Sequence, residues 1–241
     1  MLRRDAIASL FAAGTWPFTS AHGGAVLLNR KTQRVLFAEL PTLAGSPGST
    51  LKPLVLQTLL ERGRLRAEEP FACSGALEIA GRSFACTHPP LASPMTVRAA
   101  IAYSCNCFVE HMAARFTSAE LTRALQDYGL DARPAPVALQ SLGEDGVIAT
   151  PATLAAAYAR LAARIAPAVQ SGMEDAVAYG TAQRAQVAGL ALAGKTGSGR
   201  NAAWFAGFTP DLAIAVLVQG RSGGADAAPI AARILQSRGR A

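Results

Sequence analysis

The pattern of hydrophobic residues predicts strands near both ends of the chain and helices between them. Two short apolar runs joined by a polar link predict an antiparallel hairpin, at residues 24–28 and 34–39. Three more apolar runs predict further strands towards the C-terminus, at residues 190–197, 202–208 and 212–219. A closing helix is predicted at residues 227–236.

Helix start signals occur through the middle of the chain. Pro53 is tolerated only near a helix start, so a helix is predicted to begin at about Ser49. Capping residues predict further helix starts at Thr96, Thr117 and Thr150. Residues 67–95 are rich in proline, glycine and serine, which predicts irregular backbone.

This order of elements predicts a mixed α/β fold of the α+β type, in which one antiparallel sheet flanked by helices lies beside an all-helical lobe. We predict a single domain over residues 22–241, preceded by an export signal at residues 1–21. The sheet lobe is predicted to comprise about residues 22–45 and 185–241, and the helical lobe about residues 54–184.

The first residues have the features of an export signal. Arg3 and Arg4 precede a short apolar run, and small residues suited to cleavage follow at 19–21. The apolar run is too short to span a bilayer. An ordinary amphipathic first helix is the alternative. The signal predicts an exported protein, in the periplasm or at the outer face of the cytoplasmic membrane.

The charge of the chain narrows the class of partner. Its 241 residues carry a formal net charge of +7. A positive surface suits nucleic acid, phospholipid or an anionic cell-wall polymer. The sequence contains no basic patch interleaved with aromatic residues and no nucleic-acid-binding motif, so nucleic acid is not expected as a partner.

Four cysteines in an exported chain allow three disulfide pairings. Cys73 and Cys86 bracket a segment with turn signals, which is compatible with a hairpin closed by a disulfide, whereas Cys105 and Cys107 are expected to be free. A zinc site that includes His88 is an alternative in principle. The ligand spacing fits no standard pattern, so no metal is expected.

A serine and a lysine carry the candidate chemistry. Ser49 and Lys52 are three residues apart and would share one face of the predicted helix. A serine hydroxyl is a weak nucleophile until a base takes its proton, and lysine can be that base only when its pKa is lowered. Only three of the 23 basic residues are lysines, and arginine cannot be deprotonated in proteins.

Two further polar clusters stand later in the chain. Residues 104–106 (Ser-Cys-Asn) separate two apolar helices, and residues 195–197 (Lys-Thr-Gly) end an apolar strand. Together with residues 49–52 (Ser-Thr-Leu-Lys), they resemble the motifs of the serine acyltransferases that react with penicillin. Further segments resemble class B, elongation-type penicillin-binding protein transpeptidase domains, at residues 47–53, 73–86, 148–158 and 204–210. The resemblance covers nearly all of residues 25–218.

The resemblance implies an activity and a role for each motif. Ser49 would attack a D-alanyl-D-alanine amide and form an ester, and Lys52 would accept its proton. Ser104 would relay a proton to the leaving amine, and Asn106 would hold both the substrate and Lys52. Lys195 would supply a cation that lowers the pKa of Lys52 and attracts the substrate carboxylate.

The remaining implied site residues bind the substrate. Thr196 would donate a hydrogen bond to the carboxylate, and Gly197 belongs to the same substrate-binding strand. The backbone N–H groups of Ser49 and Ser198 would form the oxyanion hole. No cofactor is expected. The implied partners are peptidoglycan stem peptides, β-lactams as covalent inhibitors or substrates, and cell-wall assembly proteins.

Other functions remain open. A serine β-lactamase of the class D type also has a compact domain with a Lys-Thr-Gly strand, although Asn106 replaces the hydrophobic residue usual in that class. A non-catalytic sensor could bind wall peptides or a β-lactam without turnover. The link after Gly197 is short and leaves few loops for an acceptor peptide, so transpeptidase and carboxypeptidase activity both stay open. Glu144 and Asp145 are expected in a solvated loop, and Trp204 in the core.

Overall fold

The structure is a computed structural model and describes residues 23–91, 93–199 and 201–238, so the predicted export signal lies outside the described residues. The strands are β1 Gly23–Asn29, β2 Val35–Glu39, β3 Ala76–Ile79, β4 Arg82–Ala85, β5 Asp131–Ala132, β6 Val147–Ile148, β7 Ala193–Gly199, β8 Ala202–Phe208 and β9 Leu212–Val218. The α-helices are α1 Lys52–Glu61, α2 Val97–Ala102, α3 Asn106–Ala113, α4 Ser118–Asp127, α5 Val137–Ser141, α6 Pro151–Ala162, α7 Pro167–Ala178 and α8 Ala228–Arg238.

Five strands form one antiparallel sheet in the order β2–β1–β9–β8–β7. The N-terminal hairpin pairs with the C-terminal strands through β1 and β9, where Val26 lies opposite Ala215. The predicted fold class is therefore confirmed. β7 is an edge strand of this sheet, and it carries residues 195–197.

Both faces of the sheet are covered, which explains why its central strands are apolar on both sides. Val26 and Leu28 on β1 belong to the hydrophobic core shared with the helical region. The alternate residues Ala25 and Leu27 pack on the opposite face, in a second core that includes residues of α8. The sheet is thus held rigidly between two layers, and the edge strand β7 has a fixed position.

The lobe predicted to be all helical also contains one short hairpin and one two-residue strand pair. β3 pairs with β4, and β5 pairs with β6. The β3–β4 hairpin lies inside the segment predicted to be irregular. Its turn residues Ala80 and Gly81 have φ values of 50° and 72°, a geometry that matches the twist of paired strands. The hairpin considered from the turn signals between Cys73 and Cys86 is therefore present, although the composition of residues 67–95 predicted irregular backbone.

Helix capping follows the sequence signals closely. The Thr117 hydroxyl accepts a hydrogen bond from the Glu120 N–H at 3.2 Å, and the Glu120 carboxylate accepts one from the Thr117 N–H at 2.8 Å. Thr150 caps α6 in a similar way, ahead of the proline at the first helical position. Across the described ranges, no helix has both the length and the hydropathy needed to cross a membrane.

Candidate active site

Ser49 lies in a tight turn that packs against β7. Residues 48–51 form a single 3₁₀ turn that leads directly into α1. Gly48 has a φ of 54°, and its N–H donates to the Gly143 carbonyl at 3.1 Å. A Cβ on Gly48 would lie 2.6 Å from the Ser198 carbonyl oxygen. A side chain is therefore excluded at this position, and the serine turn lies directly beside Ser198.

Two buried aromatic residues anchor the same turn. The Tyr158 hydroxyl donates to the Thr50 carbonyl at 2.7 Å, and the Trp204 Nε1–H donates to the Ser46 carbonyl at 2.9 Å. Both aromatic side chains are fully buried, which confirms the core position predicted for Trp204. These hydrogen bonds fix the backbone on both sides of Ser49 and hold it half-buried beside the cleft.

Lys52 is fully buried at the start of α1 and points towards the second motif. Its Nζ donates to the Ser104 carbonyl at 2.7 Å, to the Ser104 Oγ at 3.2 Å and to the Asn106 Oδ1 at 2.5 Å. Within the described residues its hydrogen bonds go to these groups and not to Ser49. The fold thus brings the lysine of the first motif into contact with both polar side chains of the second.

The two buried lysines have different electrostatic environments. Burial lowers the pKa of Lys52 to about 8, although nearby thiol groups oppose the shift. Burial, and then the charge of Lys52, lower the pKa of Lys195 well below its usual range. Lys52 has three acceptors for a charged amine, whereas Lys195 donates to the Thr196 carbonyl at 3.0 Å. Burial is the larger cause of the lowered pKa of both amines, and the roles expected for Lys52 as proton acceptor and Lys195 as cation stay predictions.

The second motif sits in a strained turn between two helices. α2 ends at Ala102 and α3 begins at Asn106, as predicted for a polar break. Ser104 has a φ of 59°, which is uncommon for a residue with a side chain. The Asn106 Nδ2 donates to the Ala85 carbonyl at 3.0 Å, so Asn106 connects the β3–β4 hairpin to Lys52.

A cleft of about 400 Å³ unites the predicted motifs. Its lining includes five of the predicted site residues, namely Ser49, Ser104, Asn106, Thr196 and Ser198. Lys52 and Lys195 are fully buried and do not line the cleft. Gly197 is also buried, and a Cβ there would collide with the Pro47 carbonyl, which keeps β7 close to the serine turn.

Several cleft residues were missed from the sequence. Thr181 accepts a hydrogen bond from the Thr196 hydroxyl at 3.0 Å, and Arg221 and Ser222 line the same end of the cleft. A pair of glycines after Ser222 was the available signal, because adjacent glycines often mark close backbone approach.

The expectation that Glu144 is a solvated loop residue is wrong. Glu144 lines the cleft and pairs with Arg82 of the β3–β4 hairpin at 2.5 Å. The glycine-flanked turn around Glu144 gave no indication of this contact, because Arg82 lies 62 residues earlier in the chain and only the fold brings the two side chains together.

The comparison with protein families agrees with this geometry. The family model "Penicillin binding protein transpeptidase domain" matches residues 23–236. This chain belongs to the penicillin-binding protein transpeptidase family. The predicted resemblance is therefore confirmed at the level of the family. Among curated protein sequences, none matches the chain.

Solved structures show the same transpeptidase-domain fold at low sequence identity. The TP domain of Burkholderia pseudomallei penicillin-binding protein 3 has a TM-score of 0.80 at 20% identity, with 91% of this chain and 88% of that chain covered. Pseudomonas aeruginosa penicillin-binding protein 2, in complex with WCK 5153, has a TM-score of 0.73 at 18% identity, with 90% and 70% covered.

A third similar structure belongs to a peptidoglycan synthase complex. It has a TM-score of 0.76 at 20% identity, and the match covers 90% of this chain. The chain spans 56% of the length of that protein. The likeness to these penicillin-binding proteins therefore concerns the fold of the transpeptidase domain.

A cluster of cysteines lies directly behind the second motif of this transpeptidase domain. Cys86 Sγ lies 3.8 Å from Cys105 Sγ and 3.5 Å from Cys107 Sγ, and Cys105 lies 3.5 Å from Cys73. All four cysteines are free thiols, so the disulfide considered between Cys73 and Cys86 is not present. Cys105 of the turn and Cys107 of α3 thus contact Cys86, and Cys105 also contacts Cys73.

Four side chains of this cluster could hold a metal ion. The ligand atoms of Cys73, Cys86, His88 and Cys105 lie within 4.8 Å of one another, and thiolate with imidazole is a donor set that zinc prefers. The sequence spacing fits no standard pattern because the ligands come from two ends of a hairpin and from a separate turn. The cluster contacts the second motif through the Asn106 N–H, which donates to Cys86 Sγ at 3.3 Å.

Proposed function

We propose that this protein is a penicillin-binding serine D,D-acyltransferase that acts on the D-alanyl-D-alanine ends of peptidoglycan stem peptides through an acyl-Ser49 intermediate. The observation that carries the proposal is the position of Lys52. Its buried Nζ bonds to Ser104 and Asn106, and those two residues line one cleft with Ser49. A nucleophile, a titratable amine and a relay hydroxyl are thereby grouped at a single site.

In the first half-reaction, Ser49 Oγ attacks the carbonyl carbon of the peptide bond between the two D-alanines. Lys52 accepts the hydroxyl proton, and its lowered pKa of about 8 suits that task near neutral pH. The backbone N–H groups of Ser49 and Ser198 would stabilise the oxyanion, because the serine turn and β7 lie against each other. Each such donor is typically worth about 3 kcal/mol in the transition state.

Collapse of the intermediate breaks the amide bond and releases D-alanine. The leaving amine takes the proton from Lys52 through Ser104, whose Oγ lies 3.2 Å from the lysine Nζ. Asn106 holds Lys52 and faces the cleft, so it can also contact the substrate. Because two ammonium groups at adjacent buried sites are unfavourable, the protonation of Lys52 and that of Lys195 would be coupled.

The second half-reaction removes the acyl group from Ser49. An amine of a neighbouring stem peptide gives a cross-link by transpeptidation, and water gives carboxypeptidase activity. β-Lactams present the same acyl chemistry and would form a stable ester. We further propose that the protein is exported through residues 1–21, acts in the periplasm or at the outer face of the cytoplasmic membrane, and works with cell-wall assembly proteins.

The test is covalent labelling by a penicillin, followed by mass spectrometry of the intact protein and of its peptides. The wild type should gain the mass of one penicillin on Ser49. Ser49→Ala should gain none while keeping the wild-type circular dichroism spectrum. Ser237→Ala is the matched control, because Ser237 lies exposed on α8 and should be labelled normally.

Other outcomes separate the competing functions. A wild-type protein that folds but never gains the adduct would refute the proposal and favour a non-catalytic binding domain. Repeated rapid hydrolysis of a chromogenic β-lactam would instead identify a β-lactamase. Incubation with a synthetic D-alanyl-D-alanine peptide, with and without an acceptor amine, would distinguish the two peptidase activities. A peptide joined to the acceptor amine indicates transpeptidation, and a peptide shortened by one D-alanine indicates carboxypeptidase activity.

A further inference from the structure

One carboxylate at the active-site cleft takes no part in the proposed steps. Glu144 lies in the loop between α5 and β6 and lines the cleft together with Ser49. The loop packs directly on the serine turn, because the Gly48 N–H donates to the Gly143 carbonyl at 3.1 Å. A Cβ on Gly143 would collide with the Gly48 carbonyl, so the two backbones leave no room for a side chain there. Glu144 is therefore held in position next to the turn that carries the nucleophile.

One oxygen of the Glu144 carboxylate is held by an arginine, and the other is not. Arg82 of β4 donates to Glu144 Oε2 at 2.5 Å. In the part of the chain that the structure describes, no hydrogen-bond donor reaches Oε1. The side chain is only 16% exposed, and a carboxylate oxygen that is largely removed from water gains from a donor. Oε1 is thus available to a donor on a ligand.

Glu144 also lines a second cavity, of about 300 Å³, next to the cleft. Asp131, Arg133 and Asp145 lie in the wall of this cavity. With Glu144, the wall contains three carboxylates and one guanidinium, whereas the whole chain has a formal net charge of +7. This local charge favours a cationic group over an anionic one. Because Glu144 belongs to both cavities, a ligand that enters through the second cavity meets the cleft at this carboxylate.

We propose that Glu144 binds the amino group of the acceptor stem peptide and so directs the acyl-enzyme towards transpeptidation. The inference rests on the proposed function, since it assigns the second substrate of the same site. The acceptor arrives as an ammonium ion, which a carboxylate binds through a charge-assisted hydrogen bond. After the nitrogen has lost one proton to solvent, it still donates to Glu144, and its lone pair can face the acyl carbon on Ser49.

The transfer balances without a further reactant. The amine nitrogen attacks the carbonyl carbon of the ester, so a C–N bond forms and the bond from that carbon to Ser49 Oγ breaks. A second proton leaves the nitrogen for neutral Lys52 and passes to Ser49 Oγ, and the third stays on the new amide. Water carries no positive charge for Glu144 to hold, so loss of the carboxylate should weaken aminolysis more than hydrolysis.

The test measures how the acyl-enzyme divides between an amine and water. The donor is a synthetic D-alanyl-D-alanine peptide, and the acceptor is Nα-acetyl-L-lysine amide, whose only charge is its side-chain ammonium. Both products form from the same acyl-enzyme, so their ratio does not depend on the rate of acylation. Glu144→Gln should lower the ratio of aminolysis to hydrolysis about tenfold. With methanol as a neutral acceptor, the ratio of methanolysis to hydrolysis should stay as in the wild type.

Three further variants distinguish acceptor binding from support of the hairpin. Arg82→Gln breaks the ion pair but keeps the carboxylate, so its aminolysis ratio should equal or exceed that of the wild type. Glu144→Asp keeps the charge on a shorter side chain and should fall between the wild type and Glu144→Gln. Glu68→Gln is the matched control, because Glu68 is exposed and lines neither cavity, and it should leave the ratio unchanged.

The remaining outcomes contradict either the inference or the proposed function. A wild-type aminolysis ratio in Glu144→Gln would overturn the inference. Equal losses in Glu144→Gln and Arg82→Gln would also overturn it, because the ion pair would then only support the hairpin, and so would equal losses with the amine and methanol. A wild type that penicillin labels at Ser49 but that transfers nothing to the lysine derivative would refute the acceptor site and leave the acyl-enzyme in place. A folded wild type that penicillin never labels would refute the proposed function itself.

Discussion

Replacement of Lys52 by arginine tests the proposed proton acceptor most directly, because it keeps the positive charge and removes the ability to lose a proton. With a pKa of about 8, Lys52 is neutral in roughly one molecule in ten at pH 7. Arginine, with a pKa above about 12, is neutral in fewer than about one molecule in 10⁵ at that pH. The population of the reactive form therefore falls by about 10⁴.

The expected loss follows from that ratio and from the usual size of base catalysis. A positioned general base contributes about 10²–10⁴ in rate, so Lys52→Arg should lower the labelling rate at least about 100-fold, or about 3 kcal/mol of activation free energy. A guanidinium is also larger than the buried space that holds the Lys52 Nζ, because three acceptor atoms of Ser104 and Asn106 lie 2.7, 3.2 and 2.5 Å from that nitrogen. Lys52→Met fills a similar volume without charge and should lose labelling to the same extent.

The assay is the rate of penicillin attachment to Ser49 at pH 7, with circular dichroism and thermal unfolding measured for each variant. Lys31→Arg is the matched control, since the Lys31 side chain is 76% exposed and pairs with Asp211 at the surface. Lys31→Arg should be labelled at the wild-type rate, because an exposed ion pair contributes only about 0–1 kcal/mol to folding stability. Folded Lys52→Arg or Lys52→Met protein that labels at the wild-type rate would refute the assignment of Lys52 as the base.

Three further predictions concern pH, the serine turn and the thiols. The labelling rate should rise about tenfold per pH unit up to about pH 8 and then level off, because the active form of Lys52 is the deprotonated one; a rate independent of pH between 6 and 8 would contradict this. Gly48→Ala should lower the free energy of unfolding in urea by about 3 kcal/mol, because Gly48 has a left-handed φ of 54° and its new Cβ would collide with Ser198. Gly63→Ala is the control: Gly63 has a similar φ of 64° but open space around it, so the loss should be about 1 kcal/mol. Equal losses for the two variants would show that the contact between Gly48 and β7 is not tight. When the protein is unfolded in the absence of a reductant, a thiol reagent should modify four cysteines per molecule. Modification of only two cysteines would show that the purified protein contains a disulfide.

Local signals foretold much of the secondary structure because they act over a few residues. The capping box at Thr117 and the proline after Thr150 place helix starts through contacts within one turn. A hairpin was one interpretation of the turn signals between Cys73 and Cys86, but the strands β3 and β4 themselves were not predicted. Four-residue strands give too short a pattern to distinguish from a loop.

Residue type and spacing were enough to predict the strands of the main sheet, several helix starts and the three polar motifs, and the likeness to a known family grouped those motifs at one site. Those features depend on residue type and spacing along the chain. The electrostatics of the site, in contrast, depend on contacts between distant parts of the chain. The lowered pKa values of Lys52 and Lys195 depend on burial, and Lys52 has an acceptor in Asn106, more than fifty residues away along the chain. Likewise, Arg221 and Glu144 line the cleft because two loops far apart in the sequence fold against it.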